Sequence, residues 1–198
     1  MTTPTPTVTV AYHSGYGHTA VLAEAVQRGA KEEGAAVSLI AVNEITDAQW
    51  AQLDASDAIV FGSPTYMGTA SAAFHTFAES TSKRWHAQVW EGKLAAGFTN
   101  SGSKSGDKLH TLQFFTILAA QHGMQWVSLG LHPGWHSSQG SEDELNHLGF
   151  YLGAGAQSNS DQGPEAVRPS DIATAEHLGR RIARQAAVQL AGRATLAA

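Results

Sequence analysis

Five short runs of the chain are apolar on both faces. They are VTVAY (8–12), VSLIAV (37–42), AIVFGS (58–63), LAAGFTN (94–100) and MQWVSLGL (124–131). A strand with one wet face alternates apolar and polar residues. A run without alternation suits a strand covered on both sides, as in a parallel sheet. Helix-length segments separate the runs. TAVLAEAVQRGAKEEG (19–34) places Val21, Leu22, Ala25 and Val26 on one stripe, with Gly34 as its stop. SAAFHTFAEST (71–81) and DKLHTLQFFTILAAQHG (107–123) repeat the pattern. The last segment, SDIATAEHLGRRIARQAAVQLAG (170–192), carries Ile172, Ala175, Leu178, Ile182 and Ala186 on one face. Its basic residues fall in its later half, where the helix dipole favours them. This alternation predicts an α/β fold built on one doubly wound parallel sheet of five strands, with helices on both faces. Right-handed crossovers then gather the loops that follow the strands along one edge, where ligands bind.

A chain of 198 residues makes a single domain spanning 1–198, with residues 1–6 expected as a frayed tail. Residues 132–169 break the rhythm. They are rich in Gly, Ser, His and Gln and are expected as an irregular insertion, with a helical turn near 141–150. So long an irregular stretch reads as a lid or an interface. A net charge of −5 argues against nucleic acid as a partner. The absence of cysteine excludes disulfides, thiolate catalysis and cysteine metal sites. No apolar run approaches the roughly 20 residues of a membrane span, and MTTPTPT has no signal-peptide character, so the expectation is a cytoplasmic protein with no membrane partner. Among ten histidines, His132 and His136 are four apart and His147 lies further on, which is no distinctive ligand spacing; no metal is expected. No Gly-x-Ser-x-Gly elbow is present to anchor esterase chemistry.

Three of the loops that follow strands are specialised. The first, HSGYGHTA (13–20), reads two ways. Gly15-x-Gly17-x-x-Ala20 fits the dinucleotide fingerprint, but the acidic residue that pattern wants for the ribose is badly placed here. Ser14-x-x-Gly17-x-Thr19 instead makes a hydroxyl-rich loop around a single phosphomonoester, held by free N–H groups at a helix start. Without Lys or Arg it is no P-loop, and Thr19 is in place to cap the helix. In the second loop, GSPTYMGTAS (62–71), Pro64 is expected to fix a turn and Gly68 to permit unusual backbone angles. Thr65, Tyr66 and Met67 sit where a planar ring can lie against them. The third, TNSGSKSGDK (99–108), exposes backbone N–H groups to ring carbonyls and nitrogens. A phosphate loop beside two ring-binding loops is the layout of FMN at the switch point of a flavodoxin-like sheet, strand order 2-1-3-4-5.

At these residues the chain resembles the flavodoxin-like NAD(P)H:quinone oxidoreductases of the WrbA type. The resemblance rests on Tyr12 to His18, on Phe61 to Gly68, on Phe98 to Asp107 and on His122-Gly123-Met124. It covers about Val8 to Met124 and resumes over the last helix. It implies that Ser14, Gly15, Tyr16, Gly17, His18 and Thr19 hold the FMN phosphate. It implies a ring site made by Pro64, Thr65, Tyr66, Met67 and Gly68 with Asn100, Ser101, Gly102, Ser103, Lys104 and Ser105. The catalytic set it implies is Tyr16, meeting the nicotinamide, His122, beside flavin and quinone, and Trp85, lining the substrate site. It also implies a homodimer or homotetramer with active sites near subunit contacts. The family pattern has Arg-Phe where this chain has Tyr66-Met67, and a glycine-rich third loop where this chain has Lys104.

The expected function is an FMN-dependent oxidoreductase that moves two electrons from NAD(P)H to a quinone or similar acceptor. Two readings from other classes stand beside it: a flavodoxin-type one-electron carrier, and a non-catalytic flavin-binding interaction module.

Overall fold

The computed structural model describes residues 5–196. Strands β1 (Thr7–Tyr12), β2 (Ala36–Ala41), β3 (Ala58–Tyr66) and β5 (Leu94–Ser101) run parallel in the order β2-β1-β3-β5. The fifth position is shared. Strand β6 (Gln125–Trp126) pairs with the start of β5, and β7 (Ala154–Gln157) pairs with its end. Counting that divided strand as one gives the expected order 2-1-3-4-5. The short β4 (Thr69–Ala70) folds back on the tip of β3.

Helices α1 (His18–Glu32) and α6 (Pro169–Leu196) cover one face, over a core that includes Val8, Val10, Leu22, Val26, Phe98, Leu178 and Ile182. Helices α2 (Asp47–Ala55), α3 (Ala72–Ser80) and α5 (Lys108–Gln121) cover the other, over Ile40, Leu53, Phe61, Phe74, Phe77, Leu112 and Phe115. The short α4 (Ser82–His86) and a 3₁₀ turn (Pro164–Ala166) complete the fold. The runs read as doubly covered, β3 and β5, are buried almost throughout. The β2 run is not. It is an edge strand, and Ala36 and Ala41 are exposed.

The backbones of α1 and α6 pass almost in contact. A Cβ added to Gly29 would sit 2.0 Å from the Glu176 carbonyl oxygen, and one on Gly179 would sit 2.0 Å from that of Val26. Only glycine permits this crossing.

Three expectations need correction. Of 124–131, only Gln125–Trp126 is strand; the upper half of the fifth position belongs to Ala154–Gln157, inside the segment expected to be irregular. Its sequence, LGAGAQ, reads as loop by glycine content. Close approach explains that content: a Cβ on Gly153 would meet the Gly97 carbonyl oxygen at 2.1 Å. The stretch 141–150 forms turns rather than a helical turn. In the expected tail, Pro6 is buried and its carbonyl accepts from the Ala36 N–H at 2.9 Å, so order begins there; residues 1–4 lie outside the described residues.

Candidate active site

At the C-terminal edge of the sheet the loops after β1, β3, β5 and β7 enclose one cavity of about 440 Å³. Gly15, Tyr16, His18 and Thr19 line it from the first loop; Pro64, Thr65 and Tyr66 from the second; Asn100, Ser101 and Gly102 from the third; Ser158 and Ser160 from the fourth.

One end of the cavity is the start of α1. Gly17 is its N-cap, with φ 92°, and supplies no side-chain cap. Ser14 does that work instead of Thr19. Its hydroxyl accepts from the N–H of Gly17 at 3.1 Å and of Ala20 at 3.2 Å. Thr19 is buried one residue into the helix. Among the described residues, the N–H groups of Gly15, Tyr16, His18 and Thr19 have no acceptor. Four free donors at the positive end of a helix suit a phosphate dianion, and no lysine or arginine lines the cavity to supply a counter-charge. The loop is held from above by the segment after β7. The His18 ring Nε2 lies 2.9 Å from the Gln162 carbonyl, and a Cβ on Gly17 would strike Pro164 at 2.5 Å.

The other end is made by side chains. Asn100 is 5% exposed, and its Nδ2 donates to the Ser158 hydroxyl at 2.8 Å. Its Oδ1 is buried without a partner. An unpaired buried acceptor is costly and calls for a donor from a ligand. The ring N–H of a flavin is such a donor. The Thr65 hydroxyl is used inward, at 2.8 Å from the hydroxyls of both Thr99 and Thr111, and so fixes the second loop to β5 and α5. Tyr66 reaches across the mouth toward the first loop: a Cβ on Gly15 would lie 2.5 Å from its hydroxyl. Burial, and secondarily Tyr16, raises the Tyr66 hydroxyl pKa, so it remains a donor.

Pro64 does not make the expected turn. It lies within β3, in register with Asn100, and the turn comes at Met67-Gly68. These two residues have φ 48° and 87°, the pair of left-handed conformations that a tight hairpin requires. Glycine accepts that angle freely and methionine does not, so Met67 holds backbone strain while its side chain stands fully in solvent. Neither Met67 nor Gly68 lines the cavity, whereas Tyr16, 78% exposed, does.

The third loop divides. Asn100, Ser101 and Gly102 line the cavity; Ser103, Lys104 and Ser105 lie beyond it. The Lys104 ammonium sits over the Trp135 ring, 5.3 Å from its centroid. The resemblance places His122 and Trp85 beside the flavin, and within one chain neither reaches the cavity. His122 caps the far end of α5, close to Gln125, which pairs with Leu94 at the start of β5, whereas the cavity lies at Asn100. Six strand residues separate the two levels, about 20 Å. At that opposite edge the buried His122 shares a shallow cavity of about 280 Å³ with Trp85. Its Nε2 lies 2.9 Å from the Thr81 hydroxyl, and burial lowers its pKa.

Ser158 and Ser160 are site residues that sequence reasoning misses. The polar run SNS (158–160) is visible, but the Gly-Ala composition of LGAGAQ (152–157) before it hides the strand that carries it to the site. Among the described residues, no group of three or more His, Asp or Glu could hold a metal ion.

Comparison with known proteins agrees with this geometry. The family described as NADPH-dependent FMN reductase matches residues 10–131. Flavodoxin FldP of Pseudomonas aeruginosa is 42% identical over 88% of this chain and 94% of its own length. An NAD(P)H dehydrogenase (quinone) of Methylocella silvestris is 32% identical over 89% of this chain and 94% of its own. Among solved structures, a flavodoxin, WrbA-like protein from Agrobacterium tumefaciens is 42% identical with a TM-score of 0.73, covering 92% of this chain and 98% of that one. The 2-1-3-4-5 sheet together with these relatives identifies the chain as a member of the NADPH-dependent FMN reductase family, in its WrbA-type, flavodoxin-like branch.

Proposed function

We propose that the protein is an FMN-dependent reductase that takes a hydride from NAD(P)H and delivers two electrons to a quinone or a similarly flat acceptor. The observation that carries the proposal is one cavity with unpartnered donors at one end and an unpartnered buried acceptor, Asn100 Oδ1, at the other. FMN supplies the redox chemistry when bound, taking up hydride as the nicotinamide is oxidised and giving two electrons, with protons, to the acceptor.

The chain's own residues bind and orient. The N–H groups of Gly15, Tyr16, His18 and Thr19 would hold the phosphate, and Ser14 keeps that loop in shape by occupying the two N–H groups that point inward. Asn100 would accept from the ring N–H while Ser158 fixes its amide. Tyr66 and Pro64 would cover the ring. The exposed part of the lining, Tyr16 and Tyr66, is aromatic rather than charged, which suits a flat small molecule arriving from solvent.

Anaerobic turnover tests the reading. FMN-loaded protein mixed with NADH or NADPH should lose its yellow absorbance in one phase and regain it on adding benzoquinone. A second reading, the one-electron carrier, draws on the name of the flavodoxin relative at 42% identity. Bound FMN that ignores both nucleotides and halts half-reduced under a chemical reductant would establish that reading instead. Assembly as a homodimer or homotetramer belongs to the same proposal, and light scattering of the loaded protein measures it. No helix among the described residues is long and apolar enough to cross a membrane.

A further inference from the structure

Lys108 is buried to 0% exposure, an unusual place for an ammonium, and the function above does not use it. It sits in the first turn of α5, directly behind the third loop. Its Nζ donates to the carbonyls of Ser103 and Lys104, the latter at 3.1 Å. Neighbouring carbonyls are taken as well. The Gln157 amide donates to the Gly102 carbonyl at 2.8 Å, the Ser101 hydroxyl to that of Ser103 at 3.3 Å, and the Lys108 N–H to that of Ser105 at 3.2 Å.

In a planar trans peptide the C=O of one residue and the N–H of the next point in opposite directions. Turning the carbonyls of residues 102–105 inward therefore turns the N–H groups of residues 103–106 outward. Among the described residues none of these four N–H groups has an acceptor. They follow directly along the chain from Asn100, Ser101 and Gly102, which line the cavity. A cation on the carbonyl side also polarises each peptide and makes its N–H a stronger donor.

We propose that Lys108 is a positioning residue for the flavin: its buried ammonium presets the N–H groups of the third loop as donors to the carbonyl edge of the ring. The proposal rests on the FMN reading. It deepens that reading by naming what holds the loop, a role Lys104 does not fill because it is turned to Trp135.

The charged groups around Lys108 are few. Asp171, on α6, favours its protonated form, and the Asp171 carboxylate is itself held by the His147 ring at 3.0 Å and the Gln157 N–H at 2.9 Å, with Arg168 nearby. Lys104 and Asp107, on the loop, are exposed. Burial dominates and brings the Lys108 pKa down to about 8. The ammonium is thus lost within an accessible pH range, and donors that depend on it should weaken there. By linkage, bound FMN should raise that pKa.

The experiment is FMN titration against pH for the wild type and for Lys108→Met, which keeps the side-chain volume and removes the charge. Wild-type affinity should fall about tenfold from pH ~7 to ~9.5. Lys108→Met should bind about tenfold more weakly at pH ~7 and show no break near pH ~8. A variant within twofold of wild type with the same break overturns the role of Lys108 and leaves the FMN reading intact. A wild type that binds no FMN overturns that reading. Backbone 15N order parameters of residues 103–106 in the cofactor-free protein separate the two cases. The wild type should be rigid there, at about 0.85, and Lys108→Met should fall below about 0.6; unchanged order parameters overturn the hold on the loop whatever the flavin does.

Discussion

The two ends of the cavity are built on different principles. The proposed phosphate end is backbone: one continuous stretch, residues 14–19, whose free N–H groups come from the geometry of a helix start, with Ser14 and His18 as side-chain supports. The ring end is side chains and carbonyl-anchored peptides drawn from three distant segments, 64–66, 100–102 and 158–160, with Lys108 behind them. A backbone site tolerates changes in side chain but not in backbone angle. An assembled site tolerates local changes but depends on every segment arriving in place. The difference predicts which substitutions should discriminate between FMN and riboflavin, which carries the ring without the phosphate.

The largest effect should come from Gly17→Val. The residue holds φ 92° and any Cβ meets Pro164, so both the angle and the strap above it must yield. FMN affinity should fall at least about 100-fold while riboflavin affinity changes little; equal losses for both ligands would mean that the two ends are not separable. Gly179→Ala tests the frame rather than the site. Forcing α1 and α6 apart should cost about 3 kcal/mol in denaturant unfolding, with FMN affinity recovered in whatever fraction stays folded. Asn100→Ala should weaken FMN and riboflavin alike, each by about tenfold, because it removes the ring-facing acceptor and frees Ser158. Ser14→Ala should weaken FMN about tenfold and leave riboflavin unchanged, with about 1 kcal/mol of stability lost through uncapping of α1. The smallest effect is a matter of salt. With no lysine or arginine at the cavity, raising NaCl from about 0.05 to 0.5 M should change FMN affinity less than about threefold; a steep dependence would reveal a cation that takes part from outside the lining.

The same contrast explains what can be read from the sequence. Residues 14–19 are adjacent in the chain, so a loop of free N–H groups at a helix start is legible in HSGYGHT, the phosphate it would hold being part of the proposal. Helix periodicity and the apolar runs likewise give the layers, whereas the strand order comes from the layout of the three loops. The ring end is legible only in halves. Asn100 and Tyr66 stand in recognisable loops, but the partner of Asn100, Ser158, lies 58 positions beyond it, after a strand whose Gly-Ala composition gives no β signal. Lys108 escapes sequence reasoning because a lysine at a helix start looks solvated unless the loop it grips is known. His122 and Trp85 rest on resemblance rather than on spacing, and the fold of one chain sets them at the opposite edge of the sheet.

The most direct test is a paired titration of the wild-type protein with FMN and riboflavin under identical conditions. A phosphate held by four free backbone donors should make FMN bind at least about 100-fold tighter than riboflavin. Equal affinities, or no binding of either, would contradict the account.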